Sequence, residues 1–146
     1  MEAINHEYYV SLEVAKQLKE AGFDWGVYDG YIMYGDDHGF TTKFQTPYNF
    51  NGDNKDLFAS YGGHKEVLSK PTLDVAQRWL REVKNLSVDI SSTRFSVWEY
   101  IIRKINQLNY NDDTILSLTA CRFYTYEEAL EAGIKNVLEI ILEKGE

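Results

Sequence analysis

The segment Thr125-Tyr126-Glu127-Glu128-Ala129-Leu130, with the apolar run behind it, constrains this chain more than any other stretch. A threonine followed three residues later by a glutamate is a capping box. The hydroxyl accepts from the backbone N–H of the third helical residue, and the carboxylate can reach back to the cap's own N–H. Glu127 and Glu128 also bring negative charge to the positive end of the helix dipole. Beyond them Tyr126, Ala129, Leu130, Ile134, Val137, Leu138 and Ile141 recur at steps of three and four, which gathers them into one stripe. Glu131, Lys135, Glu139 and Glu143 lie off the stripe. Gly133 weakens such a helix by about 1 kcal/mol relative to alanine, so it is expected to let another element pack close. A helix this apolar on one side must lie on a sheet or on other helices.

The rest of the chain supplies candidates. Ser11 is an N-cap for a first helix with Leu12, Val14, Ala15 and Leu18 on its buried edge, and Gly22-Phe23 reads as its left-handed C-cap. Asp29-Gly30, set between Trp25-Gly26-Val27-Tyr28 and Tyr31-Ile32-Met33-Tyr34, predicts a hairpin turn. Asp36-Asp37-His38-Gly39 predicts another turn, and residues 40–46 a third strand stopped by Pro47. Residues 57–61 and 65–68 each suggest a short extended piece. Pro71-Thr72 opens a second helix that carries Leu73, Ala76, Trp79, Leu80 and Val83 and closes at Lys84-Asn85. Residues 86–90 alternate as a half-buried strand does, residues 97–105 are β-branched and aromatic, and residues 115–120 form the last strand. The expected fold is therefore α+β: an antiparallel β-sheet, in one piece or two sections, with three amphipathic helices on one face. A chain of 146 residues is read as one domain, with 1–68 and 69–146 as a subdivision and a long aromatic and polar loop over 35–63.

Three helix starts echo one another: Ser11-Leu12-Glu13-Val14-Ala15, Thr72-Leu73-Asp74-Val75-Ala76 and, more loosely, Thr125-Tyr126-Glu127-Glu128-Ala129. A shared way of starting helices explains the echo better than duplication, because the copies end within a turn and a half. From Thr72 the order helix, three strands, helix is that of a double-stranded-RNA-binding domain. The lysines which that module uses for phosphates are replaced here by Glu127 and Glu128, and element order alone does not carry function.

Composition narrows the function classes. The formal net charge of −8 argues against gripping phosphate backbones, so no nucleic-acid partner is expected. No run approaches the roughly 20 apolar residues of a membrane span, so no membrane role is expected. The first residues lack the basic flank and apolar stretch of a secretory signal, and with a single cysteine, Cys121, a reducing cytoplasm is the expected compartment. No phosphate loop, dinucleotide fingerprint, zinc-protease or nucleophile-elbow motif is present, and neither a cofactor nor a metal is expected. His38, near Asp36 and Asp37, could meet His64 as an acid/base pair or metal site, but no spacing supports it over two surface histidines beside glycines. Residues 53–56 lack calcium-loop spacing, and Cys121 beside Arg122 reads as structural.

The tyrosine-rich loop is the open question. Tyr48, Phe50, Phe58, Tyr61 and His64 lie in or beside it, where no regular period buries them. Large rings with few rotatable bonds lose little entropy on contact, which suits protein recognition from a loop. The rival reading is that the loop folds back and uses its rings as a small core of its own.

At Pro71-Thr72-Leu73 through Trp79-Leu80-Arg81-Glu82-Val83, and at residues 124–133, the sequence resembles a family of small uncharacterised proteins. They are encoded in genomes, prophages and phages of gut Bacteroidota. Members begin with a segment like Tyr9-Val10-Ser11-Leu12-Glu13-Val14-Ala15, followed by Leu18-Lys19-Glu20 and Gly22-Phe23. The resemblance covers most of the chain, least well residues 35–63. It implies a phage or mobile-element accessory protein in a bacterial cytoplasm, with no activity to carry over. The expected function is thus a non-enzymatic binding protein that contacts a host or phage protein through residues 48–64, with self-association into a homo-oligomer alongside. The alternatives are a small hydrolase-like enzyme using His38, His64 and nearby carboxylates, or a small-molecule or nucleotide binder that blunts a host defence signal.

Overall fold

A computed structural model of the protein describes residues 8–35, 38–52, 58, 62–92, 97–105, 114–118 and 122–143. In chain order the elements are α1 (Leu12–Ala21), β1 (Val27–Met33), β2 (Gly39–Tyr48), β3 (Glu66–Ser69), α2 (Leu73–Val83), β4 (Leu86–Ser92), β5 (Trp98–Lys104), β6 (Thr114–Leu118) and α3 (Tyr126–Glu143). The strands form two antiparallel three-stranded sheets, ordered β2-β1-β3 and β4-β5-β6. The fold is α+β, and the sheet comes in two sections.

All three helices start as their sequences dictate. Ser11 Oγ accepts from the Val14 N–H at 3.3 Å, Thr72 Oγ1 from Val75 at 3.3 Å, and Thr125 Oγ1 from Glu128 at 3.1 Å. Each bond satisfies a first-turn donor that the helix itself cannot. At the other end of α1, Gly22 adopts φ 97°, and the Phe23 N–H donates to Leu18 O at 2.9 Å. That left-handed cap turns Phe23 inward, where its ring meets the Trp79 ring of α2 edge-on at 5.3 Å.

The closing helix lies against the second sheet and both other helices. Its stripe of Ala129, Leu130, Ile134, Val137, Leu138 and Ile141 is buried, while Tyr126 sits at the rim. Gly133 does allow close packing: a methyl carbon there would lie 2.5 Å from Val88 Cγ1 and 3.1 Å from Tyr100 Cγ. One turn on, Asn136 Nδ2 donates to the Tyr100 hydroxyl at 2.9 Å. One contiguous buried cluster joins Phe23, Ile32 and Leu68 of the first half to Trp79, Ile102 and Ile134 of the second.

The first sheet departs from expectation. Asp29-Gly30 is not a turn, because β1 runs straight through it and pairs on both sides. The reversal comes later, where the Tyr34 N–H donates to His38 O at 3.2 Å. β2 also extends past the expected stop to include Pro47. Its register jumps there: Val27 pairs with Tyr48 but Asp29 with Lys43, so β2 bulges between them. A proline is tolerated on such an irregular edge because its missing N–H breaks no ladder bond. In the second sheet, residues 86–90 do not alternate strictly: Leu86, Ser87 and Val88 are buried in succession. Ser87 is accommodated by donating its hydroxyl to Asp89 Oδ1 at 2.6 Å, and Asp89 in turn pairs with Arg103.

Candidate binding surface

Residues 49–52 and Phe58 fold back onto β1. Phe50 and Phe58 are fully buried, with Phe44 and Tyr48 packed against them. The Phe44 and Phe50 centroids are 4.9 Å apart, Tyr48 meets Phe50 edge-on at 5.1 Å, and Phe44 stacks parallel to Phe58 at 6.0 Å. Gly30 is what lets Phe50 reach the strand, since a methyl carbon there would lie 2.5 Å from the ring's Cδ1. Asn51 fixes the segment in place. Its side chain accepts from the Ser69 N–H and donates to Phe23 O, both at 2.9 Å. These rings follow the fold-back reading of the loop: Phe50 and Phe58 are core, Tyr48 and His64 are half-buried, and Tyr61 lies outside the described residues.

The two histidines come to the same end of the first sheet. Met33 pairs with Gly39 on one side and with Glu66 on the other. His38 and His64 therefore flank β1, just ahead of two strands that lie roughly 10 Å apart. Among the described residues no group of three or more His, Cys, Asp or Glu side chains is placed to hold a metal ion. Asp36, Asp37, residues 53–56 and Cys121 lie outside the described residues.

What the first sheet does present is an edge, β2, whose outer side no other described strand pairs. Asp29 and Met33 turn their carbonyls toward the β3 side, where Lys70 and Lys65 N–H groups donate to them. Tyr34 faces β2 instead, through its bond to His38. Antiparallel ladders alternate, so Gly30 and Ile32 bond to Thr42 and Phe40. The N–H and C=O of Thr41 and Lys43 then point away from the sheet. The β3 and β4 edges are plugged by side chains: Lys19 Nζ donates to Val67 O at 3.3 Å, Asn51 receives Ser69 N–H, and Gln77 Nε2 donates to Val88 O at 2.7 Å. At the end of the open edge, Tyr34, His38, Gly39 and Phe40 line a cleft of about 440 Å³. Phe40 is 63% exposed, and its ring meets Tyr34 edge-on at 5.6 Å.

Sequence reasoning missed Phe40, Thr41 and Lys43 as surface of interest. The strand was legible, but its place at the edge depends on which distant strands pair with β1.

No protein-family model matches this chain, and neither a curated protein nor a solved structure does. Among the described residues no helix is long and apolar enough to cross a membrane.

Proposed function

We propose that the protein is a non-enzymatic binding protein that takes an extended segment of another protein onto the outer edge of β2. The single observation that carries this reading is the contrast between edges: side chains close off carbonyls and N–H groups on β3 and β4, while among the described residues none covers the main chain of Thr41 and Lys43. Strand addition takes affinity from main-chain bonds and specificity from pockets for alternate side chains. The cleft beside Phe40 is placed to take one large apolar side chain of the guest. The resemblance to phage and mobile-element proteins supports a phage or host protein in a bacterial cytoplasm as the source of that segment.

A second copy is the other occupant the edge favours. A two-fold axis through Thr42 would pair Thr41 with Lys43 of the second copy and set the exposed Phe40 opposite Phe44. The reading is tested by selecting peptides from a random library on the native protein and measuring their affinity for Thr41→Pro. This substitution removes an outward N–H and leaves the bonds to β1 intact. Loss of binding with an unchanged circular dichroism spectrum supports strand addition. Equal binding by the variant excludes it. Sedimentation of both proteins decides whether the occupant is a second copy.

A further inference from the structure

Asn51 is the one asparagine of this chain that a glycine follows. Such a pair has a chemistry of its own. The backbone nitrogen of the second residue can attack the asparagine Cγ, and glycine hinders that approach least because it has no Cβ. In the folded protein the attack is held off at both reacting groups. The Asn51 amide is clamped at either end: Oδ1 accepts from the Ser69 N–H and Nδ2 donates to Phe23 O, both at 2.9 Å. The attacking nitrogen is engaged as well, since the Gly52 N–H donates to Asn49 O at 3.3 Å. Asn49 Oδ1 accepts from the Asn51 N–H at 3.0 Å, so the turn between them is fixed too. Just ahead in the chain, Phe50 is fully buried against Gly30 and anchors the segment.

We infer that Asn51-Gly52 is a site of spontaneous modification, a deamidation that the fold holds off and that opening of residues 49–52 releases. On opening, both bonds to the side-chain amide break and the side chain turns freely. The Gly52 nitrogen, its proton lost to hydroxide, forms a bond to Asn51 Cγ. The Cγ–Nδ2 bond breaks, and Nδ2 takes protons from water and leaves as ammonia. Water then opens the resulting succinimide at either carbonyl, which leaves an aspartyl or isoaspartyl residue in place of Asn51. The net change consumes water and releases ammonia, with no oxidant, reductant or cofactor.

The product does not rebuild the clasp. A carboxylate has no N–H to give Phe23 O, and it sets two acceptors against each other in a half-buried place. The isoaspartyl form also adds a carbon to the main chain between Phe50 and Gly52. Each opening of the segment is thus a chance of becoming permanent, with Phe50 unseated from Gly30.

The experiment incubates the native chain, folded and unfolded in urea, at mildly alkaline pH and follows the peptide that contains Asn51 and Gly52 by mass spectrometry. Deamidation at least about tenfold slower in the folded protein is the expected result, because only the open fraction reacts. Chains that have reacted should show a lower urea midpoint than chains that have not. In Gly52→Ala the new methyl meets nothing nearer than Asn49 Nδ2 at 3.2 Å, and both the mass change and the loss of stability should slow. No reaction in urea, equal rates in folded and unfolded chains, or an unchanged midpoint after reaction overturns the inference. Rates and midpoints are read on the native sequence, so misfolding of the variant leaves them decisive.

Discussion

Gly30 and Phe50 are in direct contact across the face of the first sheet, with no room for even a methyl group between strand and ring. A glycine inside a strand forgoes a side chain of its own, and here an aromatic ring from 20 residues further on covers the gap. Gly30→Ala forces the ring off the strand and should destabilise the protein by about 1–3 kcal/mol. Phe50→Ala should cost about 3–5 kcal/mol. Because the two groups touch, the double variant should lose less than the sum, as a urea-unfolding cycle will show; strict additivity would mean that they do not share the site.

Gly133→Ala opposes two effects of known size. Alanine improves the helix by about 1 kcal/mol, while overpacking against Val88 and Tyr100 costs about 1–3 kcal/mol. Net destabilisation is expected in thermal unfolding. A gain in stability would show that α3 stands further from β4 and β5 than described.

Asn51 joins three segments through one side chain. Asn51→Ala orphans the Ser69 N–H and Phe23 O and should cost about 2–4 kcal/mol, measured by denaturant midpoint. Release of residues 49–52 from β3 should also expose Phe50, read as increased binding of an apolar dye.

Tyr31 gives the pH dependence a sign. Its phenol is raised above the ordinary 10.0, first by burial and then by the charge of Glu131. The neutral hydroxyl donates to Val10 O at 2.9 Å, and the phenolate cannot. The folded protein thus holds this proton more tightly than the unfolded chain does. The stabilisation is complete below pH 10 and is lost as pH rises through the raised value. Above pH 10, Tyr31→Phe should lose stability less steeply than the native protein, compared by urea melts at stepped pH. Parallel slopes would contradict this.

Legibility in the sequence followed the range of the interaction. Capping by Ser11, Thr72 and Thr125 is settled within four residues, and all three helix starts were readable. Gly133 could be read as a close approach because an amphipathic pattern surrounded it. Gly30 could not, since Asp-Gly between strand-like runs signals a turn unless one knows that Phe50 will cover it. The open edge was equally hidden. Residues 40–46 looked like a strand, but nothing local says that β1 would sit between β2 and β3, or that Lys19 and Asn51 would cover the β3 edge while no described residue covers the β2 edge. The three similar helix starts were visible, whereas the contact between α2 and α3 depends on packing that no local pattern shows.

Residue-resolved hydrogen exchange across β2 tests the open edge most directly. In the free protein the amides of Phe40 and Thr42, bonded to β1, should exchange slowly, and those of Thr41 and Lys43 fast. With a library-selected peptide bound, the Thr41 and Lys43 amides should slow to match their neighbours. Fast exchange that persists at both positions in the saturated complex would contradict strand addition at this edge.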